Sequence, residues 1–416
     1  MILNRRRALV GLASMAGLYL GGRQLVRRVA RAAEPETPLS PEAKALVARA
    51  WEGINPAKVI DAHVHLVGIG TGGSGCFVHP HMLSLFHPFP ALKFAIYLRA
   101  SGVKDQDQAD QQYVDRLALL VRAQMPRPRL LLLPFDQVYD PDGTPRPDHS
   151  EMHTPNDYAL RVAREHPDVF LPGASVHPYR RDAADELERC IEAGALALKW
   201  LPNAQGIDPS SEKCDAVYRV LARRGVPLIS HGGEEQAVDA EEAQALGNPL
   251  LLRRALDQGV KVIVAHGASL GTDLDLDAPE LNRPRVSSQE LLFRMMDHPG
   301  HRALLYADLS AVCQANRCGE PLRRMLRRTD LHPRFVNGSD YPLPAINALV
   351  RTSTLESHGY FDAGTRELLN ELDRHNPLLF DFVTKRSLAL TERAGSHRFS
   401  AASFQTPEGL FPLRSV

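Results

Sequence analysis

The sequence predicts an α/β fold, a (β/α)8 barrel of the TIM type, and three observations support this prediction. Eight short apolar runs follow residue 58, and most lack polar alternation, as strands buried on both faces do. Amphipathic segments of helical period separate the runs, and several of them end in glycine just before the next run. A doubly wound sheet would also alternate in this way, but eight βα units close more naturally into a barrel. The predicted strands are Val59–Leu66, Leu130–Phe135, Val169–Val176, Ala195–Leu201, Val226–Ser230, Val260–Ala265, Ala303–Leu309 and Phe335–Gly338.

The first 33 residues differ in kind from the rest of the chain. Asn4-Arg5-Arg6-Arg7 precedes an apolar run from Ala8 to Gly22, and Ala30-x-Ala32 offers a small-residue cleavage site. This pattern predicts a signal peptide or an N-terminal anchor in residues 1–33, and its adjacent arginines resemble a twin-arginine export signal. The apolar run is short for a membrane span, which needs about 20 residues. We therefore expect an exported, periplasmic protein or one anchored at the membrane, with a cytoplasmic protein as the remaining alternative.

The rest of the chain divides into three parts. Residues 34–57 are predicted to form a linker and a leading helix, because Ser40-Pro41 supplies an N-cap residue followed by proline in the first turn. Residues 58–393 are assigned to the barrel, including extra helices after the last strand. Residues 394–416 lack periodicity, so we expect an irregular tail over the surface.

A long insertion separates the first two predicted strands. It begins with the glycine-rich turn Gly68–Gly75 and includes a helical segment over Gln111–Gln124. Insertions after a barrel strand lie over the face that carries active sites. We therefore expect this one to act as a lid and as a wall of the substrate pocket.

Composition excludes several classes of function. The 416 residues carry a formal net charge of zero, so no basic surface for nucleic acid is indicated. Five cysteines without a C-x-x-C motif argue against a zinc–thiolate module. The expected partner is a small-molecule substrate, and membrane contact is expected only through the N-terminal segment.

Histidines and an aspartate stand at the ends of four predicted strands. His63 and His65 are two residues apart on the first strand, so their side chains leave it on one face. His231, His266 and Asp340 end the fifth, sixth and eighth strands, and strand ends converge on one pocket in a closed barrel. Several nitrogen ligands with one carboxylate form a set that suits a divalent metal such as zinc.

These strand ends resemble the amidohydrolase superfamily, and the Gly-Ser-Asp-Tyr-Pro ending is similar to its amidohydrolase-2 branch. The resemblance implies that His63, His65 and His231 bind metal and that Asp340 is a ligand or general base. It implies that His266 binds a second metal or orients the water. Barrels of this superfamily are often dimers, so a homodimer is possible. The resemblance covers about residues 58–345 and is carried by Ile60–His65, Leu228–Gly232, Val262–Gly267 and Gly338–Pro342.

Lys199, at the end of the fourth strand, is open to three interpretations. Binuclear members of the superfamily carry a carbamylated lysine there, which bridges two metal ions. The other two interpretations are a cation that binds a substrate carboxylate and a lysine paired with a nearby acid. His177, Arg180 and Asp308 also end predicted strands, and we name them as candidate substrate contacts, with structural hydrogen bonding as the alternative.

The preferred function is a metal-dependent hydrolase that uses an activated water to cleave an amide, ester or lactone. Asp340 would take the proton of the water, and His266 or Lys199 would stabilise the oxyanion. The resemblance also allows a metal-dependent decarboxylase of the aminocarboxymuconate-semialdehyde type. A non-catalytic barrel is a third hypothesis, and the presence of every metal ligand that the resemblance implies argues against it.

Overall fold

The computed structural model describes residues 26, 29–30, 33–84, 87–237, 241–393 and 395–413. The predicted basic and apolar export segment, residues 5–22, lies outside these ranges. Within the described part of the chain, no helix is both long and apolar enough to cross a membrane.

Parallel strands form the centre of the molecule. One paired run has the order β1-β3-β5 and another the order β12-β11-β8-β7-β6. These eight strands coincide, to within a few residues at their ends, with the eight strands that the sequence predicts. In chain order the strands are β1 (Ile60–His65), β2 (Phe77–Val78), β3 (Arg129–Leu133), β4 (Met152–His153), β5 (Phe170–Pro172), β6 (Leu198–Trp200), β7 (Leu228–Ser230), β8 (Val262–Val264), β9 (Thr272–Leu274), β10 (Arg285–Ser287), β11 (Leu305–Asp308), β12 (Phe335–Val336), β13 (Leu390–Glu392) and β14 (Gly395–His397).

Two isolated parallel bridges join the runs into a ring. Ala174 pairs with Leu198 on β6, and Val64 on β1 pairs with Tyr341, beyond β12. The amide of His65 also donates to the carbonyl of Tyr341 at 3.1 Å. Buried residues from successive strands, including Ile60, fill the interior of the ring. The predicted α/β TIM-barrel fold is confirmed.

Helices surround the strands much as the periodicity predicts. The amphipathic segment between the third and fourth predicted strands forms a helix over Ala183–Glu192. Ser40 caps the first helix by accepting a hydrogen bond from the amide of Ala43 at 3.1 Å, as predicted. The extra C-terminal helices follow β12. In chain order the α-helices are α1 (Pro41–Ala50), α2 (Pro88–Ala100), α3 (Ala109–Arg122), α4 (Asn156–Glu165), α5 (Ala183–Glu192), α6 (Pro202–Gln205), α7 (Asp215–Arg224), α8 (Arg253–Asp257), α9 (Ser288–Asp297), α10 (Glu320–Arg327), α11 (Thr352–Ser357), α12 (Ala363–His375) and α13 (Pro377–Ser387).

The long insertion after β1 forms the lid, with α2 and α3 as its helices. Its glycine-rich turn folds around the carboxylate of Asp110, which accepts from the amides of Ile69 at 2.7 Å and Gly70 at 3.1 Å. A Cβ at Gly68 would lie only 2.3 Å from an oxygen of Asp110, so this approach requires glycine. The short strand β2 pairs with β4, which ties the lid to the loop after β3.

The C-terminal tail differs from the irregular surface tail predicted for residues 394–416. Leu410 and Phe411 are buried against residues of the barrel interior. The amide of Thr406 donates to the carbonyl of Lys58 at 2.7 Å, which places this part of the tail beside the start of β1. The tail therefore covers the end of the barrel where β1 begins, opposite the end that carries the predicted metal ligands. Sequence reasoning missed this because isolated apolar residues in an aperiodic segment carry no pattern.

Candidate metal centre

A cavity of about 250 Å³ opens where the predicted strand ends meet. Residues of the lid and of the loop after β11 complete its wall. The structure brings six of the predicted site residues to this wall: His63, His65, Lys199, His231, His266 and Asp340.

Three of these residues present ligand atoms to a common point. Nε2 of His65 lies 3.0 Å from Oδ1 of Asp340, and Nε2 of His63 lies 3.6 Å from the same oxygen. One ligand atom from each residue lies within 4.8 Å of the others. His63 and Asp340 are buried, and His65 is half-buried. Two imidazole nitrogens and a carboxylate at this spacing can hold one divalent ion.

Asp308 fixes the orientation of His63. Its Oδ2 lies 2.7 Å from Nδ1 of His63, so the imidazole donates its Nδ1 proton there and keeps a lone pair on Nε2. Oδ1 of Asp308 accepts from the amide of His266 at 2.8 Å and from the hydroxyl of Ser310. Burial raises the pKa of Asp308, but His63, His266 and Ser310 outweigh it and hold that pKa below the usual range.

Asp340 stands on a strained turn directly after β12. Its φ is +64°, and its amide donates to the carbonyl of His63 at 2.8 Å. At Gly338 an added Cβ would lie 2.8 Å from Cβ of His63, so glycine lets the two strand ends approach. Although burial raises the pKa of Asp340, the nearby histidines, His266 foremost, lower it well below the usual value. Asp340 is therefore a carboxylate.

His266 faces the other oxygen of that carboxylate. Its Nδ1 lies 3.9 Å from Oδ2 of Asp340 and 2.7 Å from Oγ of Ser310. The hydroxyl proton of Ser310 goes to Asp308, so Oγ accepts from Nδ1 of His266. Nε2 of His266 therefore carries a lone pair. Burial lowers the pKa of His266 well below its usual value, which keeps the ring neutral.

His231 completes the set of histidines. The centres of its ring and the ring of His266 are 5.1 Å apart. Burial lowers the pKa of His231 to about 4, against the opposing charge of Glu235, whose Oε2 lies 3.2 Å from Nδ1 of His231. A neutral imidazole is the form that binds metal.

Lys199 points into the same centre. Its side chain is buried, and Nζ lies 3.2 Å from Nε2 of His63. Burial lowers the pKa of Lys199, whereas the charges of Asp308, Asp340 and Glu235 raise it. The position fits both a modified ligand and a pocket cation.

The predicted substrate contacts His177, Arg180 and Asp308 are not among the described residues that line the cavity. Both ring nitrogens of His177 bond to backbone: Nε2 to the carbonyl of Gln205 at 2.9 Å and Nδ1 to the amide of Tyr179 at 3.2 Å. The guanidinium of Arg180 donates to Asp136 at 3.1 Å. Asp308 lies behind His63. All three make the hydrogen bonds that the structural alternative describes, and Asp308 also belongs, with His63 and His266, to a second group of residues whose spacing could hold a metal ion.

Sequence reasoning also missed two charged residues of the cavity wall. Glu235 stands one residue beyond Glu234, in a loop without periodicity, and it contacts His231. Arg317 lies in the loop after β11 and is buried. Neither belongs to a strand end or a motif, so only their proximity to the cavity reveals them.

The residues present fit a metal ion. Nδ1 of His65 is buried and lacks a hydrogen bond to any described residue, whereas Nδ1 of His231 faces Oε2 of Glu235 at 3.2 Å. The set combines imidazoles, one carboxylate and a carboxylate–histidine pair behind His63, which is the usual support of a metal ligand.

Comparison with known proteins identifies a family for this chain. A family model described as amidohydrolase matches residues 60–345, more than half of the chain. No curated protein matches. Among solved structures, an uncharacterised TIM-barrel protein from Bordetella bronchiseptica is 15% identical, with a TM-score of 0.43 over 75% of this chain and 99% of that chain.

Two further solved structures are of proteins whose names state an activity. A probable 2-pyrone-4,6-dicarboxylic acid hydrolase from Acinetobacter baumannii is 11% identical, with a TM-score of 0.42 over 68% of this chain and 84% of that one. A 5-carboxyvanillate decarboxylase from Sphingomonas paucimobilis is also 11% identical, with a TM-score of 0.39 over 76% and 98%.

Proposed function

Because the chain belongs to the amidohydrolase family, whose members are metal-dependent enzymes, we propose that it is a metal-dependent hydrolase of amides, esters or lactones. One observation carries the proposal. The buried carboxylate of Asp340 has one oxygen at the His63–His65 pair and the other towards His266. A carboxylate in that position can contact the metal and exchange a proton with a neighbouring water.

His63, His65 and Asp340 are the proposed ligands of a first ion, with His231 beside them. Zinc is our preferred metal because imidazole nitrogens dominate the set. When bound, a divalent ion supplies an activated water and polarises the substrate carbonyl. His266 either holds a second ion or orients the water, and its free Nε2 lone pair suits both roles.

The side chains themselves would move the proton and support developing charge. Oδ2 of Asp340 accepts the proton of the attacking water and returns it to the leaving group. Nζ of Lys199 lies 3.2 Å from Nε2 of His63, a proposed metal ligand. A carbonyl group held at the metal would therefore lie near Lys199, whose positive charge would stabilise the developing negative charge on the carbonyl oxygen. His266 is less suited to that role, because in the neutral form its only N–H points at Ser310.

A metal-dependent decarboxylase is the second candidate. Two buried cations, Lys199 and Arg317, line the cavity, and either can hold a substrate carboxylate. The same metal ligands serve both reactions, so only the products distinguish them.

Two measurements test the proposal. Metal analysis of protein purified with zinc should find one or two ions per chain, and the Asp340→Asn variant should hold less. A panel of esters, lactones and amides should be hydrolysed, whereas carboxylated aromatic compounds should release no CO2. Purified protein that contains no metal would refute the proposed metal site. Release of CO2 without hydrolysis of any ester, lactone or amide would show that the chain is a decarboxylase and not a hydrolase.

The state of Lys199 has its own test. A carbamylated lysine bridging two metals predicts two ions per chain and reactivation of the metal-free enzyme that depends on bicarbonate. A substrate-binding lysine predicts one ion and no bicarbonate dependence. Lys199→Arg separates the two outcomes further, because arginine keeps the charge but cannot be carbamylated.

Export and dimerisation also remain proposals. Changing Arg5 and Arg6 to lysine should leave the protein in the cytoplasm, and unchanged export would rule out the twin-arginine route. Light scattering of the purified chain would report twice the monomer mass for the homodimer.

A further inference from the structure

Arg317 brings a buried positive charge to the cavity wall. The loop after β11 turns at Ala311, whose φ is +59°, and leads to Arg317. Only 5% of this residue is exposed, although it is an arginine in a loop. His231, His266 and Asp340 line the same cavity. The charge is therefore placed beside the candidate metal centre rather than at the surface.

The guanidinium group is only partly satisfied by the protein. Nη1 donates to the hydroxyl of Ser269 at 3.0 Å. Nε is buried and has no hydrogen-bond partner among the described residues. Arginine presents five N–H donors in a planar fork that matches a carboxylate. Other described arginines also have an unpaired nitrogen, but among them only Arg317 lies on the cavity wall. A buried donor without a partner is costly, so a bound carboxylate would take this donor, although Glu235 and Asp340 already face the charge.

Most of the remaining wall is apolar. The lid helix α2 contributes Phe94, Tyr97 and Leu98, and the segment after β12 contributes Leu343 and Leu349. Cavities of roughly 150 Å³ hold a benzene ring. At about 250 Å³ this cavity has room for one substituted ring or a short acyl chain.

We propose that Arg317 binds a carboxylate of the substrate while α2 and the segment after β12 enclose its apolar body. The substrate is then a small amphipathic carboxylate with the cleaved bond at the metal centre. This inference names the substrate class of the proposed hydrolase and rests on that function. Arg317 is a binding residue, and it leaves the bond-breaking step to Asp340 and the metal ligands.

A pair of probes of equal size tests this assignment without turnover. 4-Phenylbutyrate carries the carboxylate, and 4-phenylbutyramide replaces it with a neutral amide. Calorimetric titration of the zinc-loaded full chain should show the acid binding about ten- to a hundredfold more tightly than the amide, as for hydrogen bonds to a charged group. Arg317→Met should remove that preference, and Arg317→Lys should keep part of it.

Controls separate Arg317 from the metal. Arg224→Met, at an exposed arginine of α7, should bind both probes as the wild type does. Zinc content should be the same in all variants. A preference for the acid that survives Arg317→Met but disappears with the metal would assign the carboxylate to the ion and overturn the proposal. Equal binding of both probes to the wild type, or no binding of either, would also overturn it. Hydrolysis and metal content are measured separately, so failure here leaves the proposed function standing.

A different observation concerns the N-terminal segment, which packs against the same lid. Ala30 is fully buried and forms an antiparallel bridge with Ile346. The side chain of Arg99, on α2, donates to the carbonyl of Ala30 at 2.9 Å. Arg116, on α3, donates to the carbonyl of Ala33. Both lid helices therefore hold the chain just where the sequence predicts cleavage.

This packing extends to the substrate cavity. Ala30 belongs to a hydrophobic cluster that includes Tyr97, Leu343 and Leu349, and each of these three also lines the cavity. We infer that Ala30 stays attached in the active protein and supports this wall. Cleavage after Ala32 would remove Ala30 and with it this support, so the segment is retained rather than cleaved.

Two experiments test retention. Peptide mapping of the active protein, expressed with its complete N-terminus in a host that has the twin-arginine pathway, should find peptides joining Ala30 to Glu34. Cleavage between these residues in the active fraction would overturn the inference. In the full chain, Ala30→Arg should lower Tm and weaken 4-phenylbutyramide binding by about tenfold, because overpacking distorts a buried cluster. Ala48→Arg, at an exposed site on α1, is the matched control, and equal behaviour of the two variants would also refute the inference.

Discussion

Replacing Asp308 with asparagine should weaken metal binding although the side chain does not line the cavity. Oδ2 of Asp308 lies 2.7 Å from Nδ1 of His63 and holds the proton on that nitrogen. An asparagine amide at the same place donates instead of accepting. Nδ1 must then accept, and the imidazole proton moves to Nε2, the nitrogen that faces Asp340. The proposed ligand atom loses its lone pair.

The size of the effect follows from what the substitution keeps. Oδ1 still accepts from the amides of His266 at 2.8 Å and Ser310 at 3.0 Å, so the local backbone keeps its support. Loss of a carboxylate behind a metal-bound histidine typically costs 10- to 100-fold in affinity. We expect the upper end, about 100-fold or 2.7 kcal/mol, because the amide inverts the hydrogen bond. The metal-free protein should lose less than about 2 kcal/mol of stability.

Competition with a chromogenic chelator measures the zinc affinity, and thermal unfolding of the metal-free protein measures stability. Asp182→Asn is the matched control, because Asp182 pairs with Arg180 in an exposed ion pair outside the cavity. A zinc affinity of Asp308→Asn within threefold of the wild type would refute the proposed role of Asp308. A large drop in metal-free stability would show instead that the carboxylate serves mainly the fold.

Three further predictions concern neighbouring structure. Burial lowers the pKa of His177 from 6.5 to about 4, so its stabilising contribution is complete above pH 6.5 and is lost as the pH falls towards 4. Between pH 6.5 and pH 4, the free energy of unfolding of His177→Gln should therefore fall by about 3 kcal/mol less than that of the wild type, as measured by chemical unfolding. Gly338→Ala should lower the free energy of unfolding by about 1–3 kcal/mol in thermal denaturation and reduce the zinc content, because the new methyl group would lie 2.8 Å from Cβ of His63. Lys385→Met should cost about 3–5 kcal/mol, because it leaves the buried Asp381 carboxylate unpaired; the double variant with Asp381→Leu should recover part of this loss.

The barrel could be predicted from sequence because its signal repeats. Eight apolar runs separated by amphipathic segments leave few alternatives, and each run overlaps a barrel strand. The approach of His63, His65, His231, His266 and Asp340 followed from closure of the ring, because strand ends converge whatever the details of the loops. Repetition and closure are properties of the whole chain, so they survive errors of a few residues in any one element.

Loop residues and side-chain directions could not be predicted in the same way. His177 and Arg180 follow the third predicted strand as the histidines of the centre follow theirs, yet Asp136 accepts from the amide of His177 and from Arg180 and holds them outside the cavity. Arg317 and Glu235 lie in loops whose paths depend on contacts distant in sequence. No local pattern distinguishes them from other charged residues.

The backbone of the candidate metal centre is the feature that the sequence predicts least well. His266 and Asp340 have φ values of +56° and +64°, a region that residues with a Cβ rarely adopt and that costs about 1–3 kcal/mol each. A strand continued in extended form would point these side chains elsewhere. The amide of His266 donates to Asp308, and the amide of Asp340 donates to the carbonyl of His63. Asp308 therefore joins the ring orientation of His63 to the backbone turn of His266. Asp308→Asn should therefore disturb the ring of His63 at the end of β1 while the turn of His266 after β8 keeps its hydrogen bond, a division that neither strand's own sequence reveals.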